Sequence, residues 1–427
     1  MRSVAFHTLG CKVNQYDSQA MLELFQQAGY EARAFTEQAD VYVVNTCTVT
    51  GTGDKKSLNA VRRALKQNPA AEVVIAGCLA QRDGEKLLST GARLVIGNAR
   101  RREMVALLEE AVEKGQRVAA VTDILRVPYE PLQISRHEGH TRAVLKIQEG
   151  CDRYCTYCII PSVRGGIRSR KPEEIRAEAE RLAKAGFSEL VLTGIHLTSY
   201  GRDLENKALL DAVRACDVPG VLRIRLGSLE PVIVTEAFAE ALKQESKVCP
   251  QFHLALQSGS DPVLRRMRRR YTTEEFRRSA ALLRQAFPHC ALTTDVITGF
   301  PGETEAEFEE TLSFCREIGF ARMHVFPYSA RQGTPAAQMP QQIPRALREE
   351  RARRLIALGK ELALAYRQEM LGREAEVLAE ETDEAGRSSG YTAEYIPCVF
   401  SGGIPGRVQR VRITGLTDEG VEGTLLP

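Results

Sequence analysis

The stretch Cys151-Asp-Arg-Tyr-Cys155-Thr-Tyr-Cys158 decides how the rest of the chain is read. Three thiols fall within eight residues, directly after an apolar run at 143–148 that reads as a strand. Thiolates so spaced on one loop wrap a single metal centre. Iron–sulfur clusters take thiolate ligands, and three of them on a four-iron cluster leave one iron open. Zinc is the competing occupant, but structural zinc sites take four protein ligands with paired Cys-x-x-Cys spacing. Here the first gap is three residues, and no fourth ligand sits nearby in sequence. Tyr157, between the last two cysteines, is an aromatic placed to pack against a cluster or an adenine.

Outward from this loop, apolar runs recur at 190–193, 222–226, 252–256, 292–298 and 323–327, each followed by a helical pattern. Six βα units in series predict a partial (β/α)6 barrel. Upstream, apolar runs at 4–9, 41–45, 72–77 and 94–97 alternate with helix-spaced segments at 14–28, 55–67, 81–89 and 100–113. That alternation predicts a doubly wound parallel sheet. Downstream, residues 343–371 are arginine-rich and helix-spaced. They are followed by strand patterns at 374–379, 391–400, 408–413 and 421–425, a small all-β barrel. The fold class is therefore α/β. The boundaries read as 1–115 for the first domain, 116–140 for a Pro- and His-containing linker, 141–371 for the barrel with its helix, and 372–427 for the β-module.

A second constellation lies in the first domain. Cys11, Cys47 and Cys78 are far apart in sequence, yet each directly follows a predicted strand. In a parallel sheet the C-terminal strand ends share one edge, where ligands bind. The three thiols are expected to converge there, with Gly10 and Gly77 letting the backbone approach closely. Unrelated buried thiols are the plainer alternative. Cys216, Cys249, Cys290, Cys315 and Cys398 show no such placement and read as ordinary core or surface thiols.

Composition narrows the class further. The chain has 427 residues, a net charge of +3 and 11 cysteines. An odd cysteine count without a secretion signal argues for metal or redox chemistry over a disulfide framework. No run of some eighteen apolar residues exists, so no membrane span and a cytoplasmic location are expected. Arginines cluster at 62–63, 100–102, 164–171, 265–270 and 345–354. Most such clusters are solvated helix faces, but five in a nearly neutral chain suggest patches for a phosphate backbone. Gly299-Phe-Pro-Gly-Glu-Thr304 lacks phosphate-loop spacing and reads as a strand-to-helix turn with Glu303 or Thr304 near the helix start. His7, His196, His253 and His324 read as interior or loop residues rather than ligands.

The Cys-x3-Cys-x2-Cys loop after a first barrel strand resembles the radical S-adenosylmethionine superfamily. Both cysteine constellations on one chain resemble its methylthiotransferases, across nearly the whole length. The segments Thr8-Leu-Gly-Cys-Lys-Val-Asn14, Lys146-Ile-Gln-Glu-Gly-Cys151, Leu192-Thr-Gly-Ile-His196 and His324-Val-Phe-Pro-Tyr-Ser329 resemble the branch acting on threonylcarbamoyladenosine in tRNA. Departures follow Cys47, at Thr50-Gly-Thr-Gly-Asp-Lys-Lys-Ser-Leu58, and follow Cys158, at Pro161-Ser-Val-Arg-Gly165.

The resemblance implies two 4Fe-4S clusters, held by Cys11, Cys47 and Cys78 and by Cys151, Cys155 and Cys158, with S-adenosyl-L-methionine as co-substrate. It implies replacement of the hydrogen at adenine C2 by a methylthio group, and a C-terminal TRAM domain. A C–H bond of that kind is beyond ordinary general-base chemistry near pH 7, which explains the need for a carbon radical. Candidate S-adenosylmethionine contacts are Tyr157, Thr193, Gly194, Ser228, Gln257 and Asp295, most of them at strand ends. Implied partners are tRNA, held by the β-module and by Arg164, Arg168, Arg170 and 265–270, and a low-potential electron donor such as a flavodoxin or ferredoxin. The sulfur donor is not implied, and a monomer is the default. Rival readings are a methylthiotransferase for isopentenyladenosine or for a ribosomal-protein aspartate, and a non-catalytic metal-containing RNA-binding protein.

Overall fold

A computed structural model describes residues 2–427, the Arg126 side chain excepted. The first domain is a six-stranded parallel sheet of β1 (Ser3–Thr8), β2 (Glu31–Arg33), β3 (Val41–Thr46), β4 (Glu72–Gly77), β5 (Leu94–Ile96) and β6 (Val118–Ala120). Its order is β2-β1-β3-β4-β5-β6. β3 is buried along its whole length, as a strand covered on both faces must be. Met21, Phe25, Met104 and Leu108 cover one face from helices Lys12–Gln27 and Met104–Glu113. Ala60, Val61 and Ala64 cover the other from helix Gly51–Gln67. The doubly wound sheet is therefore as expected.

Two strands of this sheet escaped the sequence reading. β2 and β6 have three residues each and sit at the sheet's two edges; β2 is exposed and polar, and β6, an apolar Val-Ala-Ala run, falls in the expected linker. The sheet thus runs past residue 115 into the expected linker. The helix expected at 81–89 is instead helix Cys78–Asp83 followed by the 3-10 turn Gly84–Thr90, broken at Gly84 with φ of 51°.

The central domain contains β7 (Ala143–Glu149), β8 (Arg168–Ser169), β9 (Glu189–Gly194), β10 (Arg223–Leu226), β11 (Ser228–Leu229), β12 (Gln251–Leu254), β13 (Ala291–Thr298) and β14 (Arg322–Pro327). Two sheets, β10-β9-β7-β8 and β11-β12-β13-β14, are linked by a parallel bridge between Ile224 and Val248. The six longer strands form an open parallel barrel, and β8 pairs antiparallel with β7. Helices Thr273–Ala286 and Glu305–Ile318 begin at Thr272 and Thr304, each in a reciprocal capping box with a glutamate three residues on. Glu303 accepts from the Gly299 amide at 2.7 Å, so this segment is the expected turn.

Helix Arg345–Gln368 leads to a closed barrel of β15 (Glu374–Thr382), β16 (Arg387–Thr392), β17 (Pro397–Ser401), β18 (Val408–Leu416) and β19 (Val421–Leu425). The strand expected at 391–400 is two strands. The chain turns at Tyr395, with φ of 69°, where its amide donates to the Thr392 carbonyl. This turn docks on the N-terminal end of the open barrel: Arg225 Nη1 donates to the Ala393 carbonyl at 2.9 Å. Among the described residues no helix is long and apolar enough to cross a membrane.

Gly150 has φ of 75°, and a Cβ there would lie 1.7 Å from the Gly166 carbonyl oxygen. The Gly150→Ala variant is therefore expected to lose more than about 1 kcal/mol of stability and to displace the neighbouring Cys151 loop. A urea unfolding midpoint and the iron content after reconstitution check both effects.

Candidate functional site

Cys11 caps helix Lys12–Gln27 just beyond β1, Cys47 directly follows β3, and Cys78 opens helix Cys78–Asp83 after β4. Since β1, β3 and β4 are neighbours, the three thiols meet at one sheet edge, close enough for their charges to act on one another. Gly10 makes this approach possible. With φ of 105°, a Cβ there would stand 3.0 Å from Cys47 Cβ and 3.2 Å from its sulfur.

The second triplet lies on the loop after β7. The Cys158 amide donates to the Cys155 carbonyl at 2.9 Å, and the Cys151 amide donates to the Gly165 carbonyl at 2.9 Å. Cys151, Cys155, Cys158, Tyr157 and Ser228 line a cavity of about 150 Å³. A larger cavity, about 1010 Å³, is lined by Cys11, Thr193, Gly194, Ser228, Asp295 and His324 among others. Ser228 borders both, so Cys11 of the first triplet and the whole second triplet line adjoining cavities. Burial pushes the Cys47 and Cys151 thiols up to about 11 and Cys158 to about 12, so metal binding there must displace protons.

The donor sets fit iron–sulfur clusters. Each is three sulfurs, the ligand type that iron–sulfur clusters take and one short of the four that a structural zinc takes.

What fixes one triplet against the other is a buried charge cluster. Arg164, 1% exposed, donates through Nε to Cys78 Sγ at 3.2 Å. Its Nη1 donates to Glu149 at 2.9 Å and to Asp17 at 3.1 Å, and its Nη2 donates to Asn14. Asp17 also pairs with Arg101 and Lys146. Burial alone would raise the Asp17 and Glu149 carboxyls, but the surrounding Arg101, Lys146 and Arg164 hold both below the usual range. Ile159 and Val163, from the segment that follows Cys158, pack on Cys78.

This corrects one expectation. Arg164, Arg168 and Arg170 are buried and cannot hold a phosphate backbone. Arg168 donates to the Arg164 carbonyl, and Arg170 pairs with Glu178 at 2.6 Å. In the 265–270 run, Arg266 pairs with Glu307 and Arg269 with Glu230, whereas Arg265, Arg268 and Arg270 are exposed. Charge-run reading cannot tell such positions apart, because a short helix and its turn send successive side chains to opposite sides.

Of the remaining candidates, Thr193, Gly194, Ser228 and Asp295 line the large cavity. Tyr157 lines the smaller one and meets Phe300 edge-on, with ring centroids 6.4 Å apart. Gln257 is not among the lining residues of either cavity. Its φ is 66°, and its backbone bridges β13 by accepting from Ile297 and donating to Asp295. Sequence reasoning missed Arg269, whose Nη1 donates to Cys155 Sγ at 3.2 Å. It also missed Glu230, which pairs with Arg153, Arg269 and His196. Burial would raise the Glu230 carboxyl, but the His196 hydrogen bond and the two arginines take it down to about 2. Cys216, Cys249, Cys290, Cys315 and Cys398 are all buried.

Comparison with known proteins agrees with this geometry. Residues 145–315 match the Radical SAM superfamily, and residues 3–97 match the Uncharacterized protein family UPF0004. The chain is 44% identical over 423 residues to the threonylcarbamoyladenosine tRNA methylthiotransferase MtaB of Bacillus subtilis (strain 168), covering 97% of this chain and 94% of that one. It is 36% identical to the protein of the same name from Thermotoga maritima, covering 99% and 96%. It is 40% identical to the tRNA-2-methylthio-N(6)-dimethylallyladenosine synthase of a Parafrankia strain, covering 89% and 78%. A solved structure of the radical S-adenosylmethionine methyltransferase TsrM from Kitasatospora setae, with cobalamin and a 4Fe-4S cluster bound, superposes with a TM-score of 0.56. It shares 15% identity and covers 79% of this chain and 77% of that one, which is a likeness of fold.

An open barrel with a three-cysteine loop at its first strand, joined to these matches, defines a radical S-adenosylmethionine enzyme. Within that class, the chain belongs to the tRNA methylthiotransferase family.

Truncating Arg164 strands Asp17 and Glu149 as buried charges short of a partner. Arg164→Met is expected to cost about 3–5 kcal/mol, read as a lower urea midpoint, with Arg164→Lys losing less.

Proposed function

We propose that this protein converts threonylcarbamoyladenosine in tRNA into its 2-methylthio derivative, using two 4Fe-4S clusters and S-adenosyl-L-methionine. The observation that carries the reading is that Cys11 of one triplet and all of the other triplet line adjoining cavities that share Ser228. The preference for threonylcarbamoyladenosine over dimethylallyladenosine rests on the higher identity and fuller coverage of the Bacillus subtilis relative.

Cys151, Cys155 and Cys158 are assigned to one cluster, and Cys11, Cys47 and Cys78 to the other. When bound, the clusters and S-adenosylmethionine supply the electron, the carbon radical and the methylthio group. The chain's own part is to hold, orient and shield. Arg269 and Arg164 each donate to one ligating sulfur, which steadies negative charge there. Thr193, Gly194, Ser228 and Asp295 offer polar groups to the methionine and ribose portions of S-adenosylmethionine, and Tyr157 walls the space beside the Cys151 loop. The β-module turn at Tyr395 covers the far end of the cavity and keeps water from that side. The target base enters unstacked from the anticodon loop. Exposed Arg265, Arg268 and Arg270, with the β-module, are assigned to the RNA backbone. The reading further includes a monomer in the cytoplasm, served by a low-potential donor such as a flavodoxin or ferredoxin.

Anaerobic reconstitution is expected to give about eight irons and eight sulfides per chain. The Cys11→Ala/Cys47→Ala/Cys78→Ala variant should retain about half of each and still cleave S-adenosylmethionine, yet form no methylthio nucleoside. The Cys151→Ala/Cys155→Ala/Cys158→Ala variant should also keep half, without cleavage. Iron and sulfide assays with mass spectrometry of digested tRNA check this; full iron content in either variant contradicts the assignment.

A further inference from the structure

We infer that Lys12, supported by Arg322, recognises the carboxylate on the N6 substituent of the target base. The inference rests on the substrate reading above. Threonylcarbamoyladenosine and dimethylallyladenosine share the reacting carbon but differ in charge at N6: the first ends in a carboxylate, the second in hydrocarbon. A cavity that takes the carboxylate out of water must offer it an uncommitted cation.

Four long cationic side chains line the large cavity: Lys12, Arg142, Arg225 and Arg322. Two are committed. Arg142 donates to Glu380 at 3.0 Å and lies over the rings of Tyr391 and Tyr395. Arg225 donates to Glu189 at 2.8 Å and to the Ala393 carbonyl. Lys12 and Arg322 have no ion pair or hydrogen bond among the described residues. Both line the same cavity as His324.

Position then decides between them. In adenine C2 and C6 flank N1, and C6 carries N6, so a base that turns C2 toward Cys11 presents its N6 chain along the same edge. Lys12 follows Cys11 in the chain and lines the same cavity. Its long flexible stem can follow a carboxylate, and its ammonium is a point charge that asks for no bidentate geometry.

Two other anions could meet Lys12: a backbone phosphate and the methionine carboxylate of S-adenosylmethionine. The test separates them. The full-length, cluster-reconstituted protein is titrated with three anticodon stem-loop RNAs, bearing threonylcarbamoyladenosine, its neutral threoninamide analogue, or dimethylallyladenosine. Fluorescence anisotropy reads the affinities, and S-adenosylmethionine binding is measured separately without RNA. The wild-type chain is expected to bind the carboxylate RNA about tenfold or more tightly than the amide RNA. Lys12→Met and Lys12→Gln should each erase most of that preference, Lys12→Arg should retain it, and Arg322→Met should reduce it partly. A Lys12→Met protein that keeps the preference overturns the inference. So does one that weakens all three RNAs equally, which marks a phosphate contact, or one that weakens S-adenosylmethionine alone. If the wild-type chain itself binds the dimethylallyl RNA best, the substrate reading fails and the inference with it. If the wild type prefers the carboxylate but the variants do too, only the inference fails.

Discussion

Arg164 is the hinge pin of the molecule in an electrostatic sense. It leaves the loop that follows the barrel cysteines, crosses into the first domain, and ends among Asn14, Asp17 and Cys78 while still bonded to Glu149 of β7. A guanidinium with no access to water tolerates little misplacement, because every lost partner leaves a buried charge exposed to a low dielectric. The same holds for Asp17, gripped by Arg101, Lys146 and Arg164 together. Apolar packing alone would let two domains slide. This cluster gives their docking a single register.

The register has a functional consequence. The edge of a doubly wound sheet collects ligands from separate strands, and the mouth of a barrel collects them from a loop. Each arrangement alone gives one three-sulfur site. Locking the sheet edge against the barrel mouth sets Cys11 of one triplet and the Cys151 loop of the other on adjoining cavities. The barrel's other end is covered by the turn carrying Tyr391 and Tyr395, stacked 4.7 Å apart under Arg142. The large cavity is thus walled by elements from all three parts of the chain.

Much of this was legible in the residues. The strand-then-cysteine pattern at Cys11, Cys47 and Cys78 foretold a convergence that the structure shows, because strand ends of a parallel sheet must share an edge. The six barrel strands were legible because each is an apolar run followed by a helical pattern. β2 was not, since an exposed edge strand needs no apolar signature, and β6 was not, since its three apolar residues make too short a run to stand apart from the linker. The turn at Tyr395 was hidden inside a run that alternates like one strand. The arginines misled most: Arg164 and Arg170 look like surface charge in sequence, and only tertiary placement shows that carboxylates and a thiol surround them. Lys12 was legible only as a family marker, because what distinguishes it is the absence of a partner in space.

The claim that the two triplets are locked face to face is tested most directly by electron paramagnetic resonance of the fully reduced, reconstituted protein. Two four-iron centres, one on each triplet, should show mutual dipolar broadening, and that broadening should vanish when either cysteine triplet is removed. Two sharp, independent signals that simply add, unchanged by deletion of the neighbour, would contradict the account.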